Sequence, residues 1–199
     1  MSRSRNTEKV GVAAERKIRR DEAGEPCLPR IVARRPLRGD EHPLSRSALA
    51  KALRTIPLEY LYGLKRIELR PRASKVGEPY AYYEPPTRSI VLYSLPRLWT
   101  TDRLSRGHRE WMECFGAEVA HEKNAYRIHW PSESNLADWF LLGAVMHELG
   151  HHFAEQYKKK RGPIKGRGFP EMNAEMRALR LTMGWVKRRK KEPPRTEES

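Results

Sequence analysis

The chain has 199 residues, with 40 Lys plus Arg against 25 Asp plus Glu, a formal net charge of +15. That length suits one domain with a core of its own, and the charge excess implies affinity for polyanions, nucleic acid first, or for acidic protein partners. Cys27 and Cys114 stand alone, which excludes a zinc knuckle or a disulfide framework and fits a reducing cytoplasm. No stretch reaches 18 apolar residues, so no membrane span is expected. Residues 1–20 lack the apolar centre of a signal peptide.

Residues 1–42 are rich in Arg, Lys, Glu, Pro and Gly and poor in aromatics, and are expected to form a disordered basic arm with a short helix over 7–19. The folded domain is expected over 43–189, with a charged, unstructured tail over 190–199. Ser45 or Ser47 can cap a helix carrying Ala48, Leu49, Ala52 and Leu53, which must end before Pro57. The period then changes to two. Ile67 and Leu69 mark one strand, residues 80–84 a second and 89–93 a third, the last two joined at Pro85-Pro86-Thr87-Arg88.

Residues 95–118 read as a helix with Trp99, Leu104, Trp111, Met112 and Phe115 on its apolar side, and His108 among charged neighbours as a surface histidine. Residues 118–122 and 125–130 flank Lys123-Asn124 in the pattern of a β-hairpin. His121 and His129 fall on its strands, where a lone histidine is more often structural than a ligand.

Ser134 or Asn135 can cap the next helix. Trp139, Phe140, Leu141, Leu142, Ala144, Val145, Met146 and Leu149 cover nearly its whole surface, so it should be buried. Within that apolar run stands His147-Glu148-Leu149-Gly150-His151, an H-E-x-x-H motif. Four residues apart, the two imidazoles project from one face a turn apart and can close on one metal ion. Glu148 sits where a carboxylate can take a proton from metal-activated water and pass it to a leaving amine. Left unpartnered in an apolar helix, each polar group would cost about 1 to 3 kcal/mol. A Zn2+ ion using the imidazoles as ligands removes that conflict.

A catalytic zinc needs a third protein ligand and an open position. Residues 158–168 form a loop of six cations, three glycines and a proline, and Pro170 then opens a second helix. Glu171 and Glu175 share one face of it. Either can complete the site, the other then bonding a ligand histidine from behind.

The H-E-L-G-H-H run followed by E-x-N-A-E-x-x-A resembles the zincin metallopeptidases whose third ligand is a downstream glutamate, and within them the ImmA/IrrE family most. The resemblance covers residues 135–185. It implies an α+β fold: a small zincin-like domain with a short mixed β-sheet packed on the active-site helix and a following glutamate helix. It further implies His147, His151 and Glu171 as zinc ligands, Glu175 as the alternative third ligand, and Glu148 as the general base. An edge strand would hold the peptide substrate. Tyr82, Tyr83, Tyr157 and Arg177 are candidates for a second oxyanion donor.

The expected function is that of a zinc metallopeptidase cutting a specific protein in a regulatory role, with nucleic acid a possible partner of the basic arm, the 158–168 loop and the tail. Two alternatives share the same features. One is a DNA-associated protease of the SprT-like sort, the other a nucleic-acid-binding protein whose metal site is structural or inactive.

Overall fold

The computed structural model describes residues 28–72 and 80–161, with side chains up to residue 155. Within them the fold is α+β, as expected. Strand β1 (Arg30–Ala33) leads through helices α1 (Arg46–Arg54) and α2 (Leu58–Leu61) into β2 (Arg66–Arg70), and β1 and β2 pair in parallel. Parallel partners require such a crossover, and the crossover helices cover one face of the sheet. Strand β4 (Ser89–Tyr93) adds in parallel to β2, and β3 (Ala81–Glu84) returns antiparallel on the outer side of β4. The order β1-β2-β4-β3 makes a mixed sheet with β1 and β3 at its edges.

Register fixes which side chains meet the helices. Ile31, Ile67 and Ile90 align across the sheet, as do Leu69, Leu92 and Ala81. All six are buried in one core with Leu49 and Leu53 of α1. Period-two alternation sends their neighbours to the opposite face.

Three differences from the sequence reading have physical causes. The arm expected to be disordered over 1–42 already contributes β1, whose register on β2 buries Ile31 despite the surrounding arginines. The helix expected over 95–118 divides into β5 (Leu98–Thr101) and α3 (Arg106–Cys114). Leu98 to Thr101 pair residue by residue with the hairpin strand β7 (Ala125–His129), and that pairing overrides the local helical pattern. Helix α3 begins only where the Ser105 hydroxyl accepts from the His108 amide at 3.2 Å. The hairpin of β6 (Glu118–Glu122) and β7 forms as expected, with Lys123 at φ 52° in its turn.

The third difference is at the long helix, whose cap is Ser132 rather than Ser134 or Asn135; its hydroxyl accepts from the Asn135 amide at 3.4 Å. Helix α4 (Glu133–Trp139) then widens into a π-helical turn (Phe140–Val145), where the Met146 amide donates to the Leu141 carbonyl five residues back. Helix α5 (Met146–Arg161) follows. A π turn carries one residue more than an α turn would, and so rotates all that follows by about 100°.

Among the described residues, no helix is long and apolar enough to cross a membrane.

Candidate metal centre

The segment that carries the motif runs through the middle of the core. Leu136, Trp139, Phe140, Leu141, Leu142, Val145, Met146, Leu149 and Phe153 are all buried, as the continuous apolar run requires. Phe153 stacks on Tyr60 of α2 with ring centres 4.5 Å apart, fixing α5 against the crossover. On this helix His147 and His151 present their rings to each other. Their Nε2 atoms are 3.0 Å apart and the ring planes lie at 84°.

Two imidazole nitrogens bound to one tetrahedral zinc stand about 3.3 Å apart. The pair is thus spaced as two ligands of a single ion would be, and imidazole nitrogen is a donor that zinc accepts. Glu148, the next residue along the helix from His147, is buried, 7% exposed. Among the described residues no group of three or more His, Cys, Asp or Glu is arranged to hold a metal ion. Glu171 and Glu175, the two carboxylates expected to complete the site, lie outside the described residues. So do Arg177, the side chain of Tyr157 and residues 162–168 of the expected loop, whose first four positions, 158–161, instead continue helix α5.

The next residue, His152, faces the sheet. It is fully buried, with Nε2 3.0 Å from the Tyr62 carbonyl and Nδ1 3.1 Å from the Tyr83 hydroxyl. A carbonyl can only accept, so Nε2 carries the proton and Nδ1 accepts from Tyr83. Burial pushes the His152 pKa down to about 4, against the hydrogen bond to Tyr62 and with help from the positive charge of Arg88. The ring is therefore neutral at pH 7, in the tautomer that both bonds demand. The sequence offered no signal for this role beyond the doublet His151-His152.

Edge strand β3 lies against α5 through this contact, the Tyr83 and His152 rings being centred 5.2 Å apart. Of the tyrosines considered as oxyanion donors, Tyr83 is thus committed to His152. Tyr82 pairs with Val91 and points to the other face of the sheet, away from the helix. The remaining histidines do not join the pair. His42 bonds the Arg34 carbonyl at 2.7 Å, His129 bonds Glu118 at 2.8 Å, His121 packs on Tyr126, and His108 lies exposed in α3.

No family model matches this chain, and neither a curated protein nor a solved structure does.

Proposed function

We propose that the chain is a zinc-dependent metalloendopeptidase that hydrolyses peptide bonds of a specific protein in the cytoplasm, in a regulatory role. The observation that supports this reading best is the approach of the His147 and His151 Nε2 atoms to 3.0 Å, with Glu148, the residue after His147, buried in the same helix. A zinc ion bound there would supply Lewis acidity, lowering the pKa of water and polarising the peptide carbonyl. Glu148 would accept the proton of the attacking water and deliver it to the departing amine. His147 and His151 would hold the ion, with Glu171 as the third ligand on the ImmA/IrrE resemblance and Glu175 as the alternative. The free side of β3, at the sheet edge beside α5, would take the substrate as an added strand.

The net charge of +15 favours one variation on this reading, a DNA-associated protease whose cleavage requires nucleic acid. Both versions turn on Glu148. In lysate incubated with purified, zinc-loaded protein, mass spectrometry of new peptide N-termini should find a defined set of cuts that Glu148→Gln abolishes while its zinc content stays at the wild-type level. Undiminished cutting by that variant would refute the assigned base.

A further inference from the structure

The face of the mixed sheet turned away from the core carries a second chemistry. Alternation places Arg30, Arg66, Glu68, Arg70, Tyr82 and Glu84 on it, opposite Ile31, Ile67, Leu69, Ala81 and Tyr83. Register sets Arg30 beside Arg66, and the Arg70 guanidinium reaches across β4 to the Tyr82 hydroxyl at 3.4 Å. Arg34, just past the end of β1, lies close enough to act on the Glu68 charge. The central carboxylate of this face, Glu68, is committed to Arg66 at 2.7 Å and Arg70 at 2.6 Å. Arg30 and Arg34 are exposed and stand outside those ion pairs, at the β1 edge.

We infer that this face binds single-stranded nucleic acid. Guanidinium forks match phosphate oxygens in pairs, and a tyrosine ring lying on a sheet gives a base a surface to stack on. A broad sheet face offers no helix or ribbon to enter a duplex groove, so the strand it suits is an unpaired one. Four arginines, Arg30, Arg34, Arg66 and Arg70, stand against Glu68 and Glu84 on this face, so its charge balance stays positive after the ion pairs form. This inference does not depend on the peptidase reading, because none of these side chains belongs to the His147-His151 site.

The test uses the full chain and a fluorescent single strand of about 20 nucleotides, followed by anisotropy across a salt series. The single strand should bind more tightly than its duplex. Arg30→Gln with Arg34→Gln should weaken binding about tenfold and flatten the salt slope by about 1.4, the value for two lost phosphate contacts on a single strand. A control that removes two exposed cations from α1, Arg46→Gln with Lys51→Gln, should change binding less than about twofold. Tyr82→Ala should cost about tenfold without altering the slope, and Tyr82→Phe, which keeps the ring, should restore it. Losses no larger than the control's in both the arginine and the Tyr82→Ala variants would overturn the inference. So would preference for the duplex, or displacement of the strand by polyglutamate as readily as by unlabelled strand.

Discussion

The Tyr83 hydroxyl donates to Nδ1 of His152 across 69 positions of sequence, and through that bond the edge of the sheet is fastened to the helix that holds His147, Glu148 and His151. The other ring nitrogen is bonded to the Tyr62 carbonyl, so a single neutral imidazole ties together three parts of the core. Replacing His152 with Ala removes both bonds and leaves a cavity beside Tyr83. The expected loss is about 2 to 4 kcal/mol in urea-induced unfolding, from two stranded polar groups and lost packing. Because the ring orients α5, zinc affinity should also fall, whereas Tyr83→Phe should cost only about 1 kcal/mol and leave zinc affinity near wild type. Isothermal titration with zinc would check the second half.

Zinc stoichiometry distinguishes the two downstream carboxylates. His147→Ala and His151→Ala should each abolish tight zinc binding. Of Glu171→Ala and Glu175→Ala, the former should reduce affinity by a factor of about 100 or more, and the latter by about tenfold, as a residue that supports a ligand does. Equilibrium dialysis against a competing chelator reads both. Reversal of the two values would reassign the third ligand to Glu175, and full zinc affinity in both variants would remove that helix from the site.

Gly116 closes α3 at φ +87°, and a Cβ there would lie 2.5 Å from Nδ2 of Asn135. Gly116→Ala therefore adds left-handed strain and a clash with the first turn of α4, the start of the long segment that ends in the motif. A loss of about 1 to 3 kcal/mol is expected by chemical denaturation. Gly39, also at positive φ but with open space around it, should lose only the backbone part, about 1 kcal/mol, on the same change.

The Glu68 carboxyl shows how the fold should respond to acid. Burial works to raise its pKa, but the hydrogen bond and charge of Arg70, with the charges of Arg66 and Arg34, hold it below the usual carboxylate value. The folded state therefore binds this proton less readily than the unfolded chain. The contribution is complete above the unfolded value, near pH 4.5, and disappears as pH falls through the lower folded value. Urea unfolding of wild type and Glu68→Gln should differ by about 1 to 2 kcal/mol at pH 6, and the gap should narrow as pH falls below 4.5. A gap that stays constant down to pH 2 would contradict the pairing.

What the sequence revealed depended on how local the determining interaction was. Strands β2, β3 and β4 and the hairpin were legible because alternation and turn residues are written within a few positions. The histidine pair was legible because i, i+4 spacing needs only a helix to bring two rings together. Strand β1 was hidden because a single inward isoleucine among arginines is a weak pattern, and only its register on β2 explains it. Strand β5 was hidden because its four residues gain order from β7, about 30 positions away. The π turn left no trace in composition, and the bonds of His152 to Tyr62 and Tyr83 span separations that no periodicity encodes.

The position of β1 bears on how this protein can be cut down for study. A version begun at Pro43, where composition alone suggests that folding starts, would strip the parallel neighbour from β2 and leave a row of open amide and carbonyl groups along a strand whose centre is buried. Such a margin invites self-pairing between copies. Aggregation of that truncated product would reflect the missing strand, and would carry no information about the chemistry of His147 and His151.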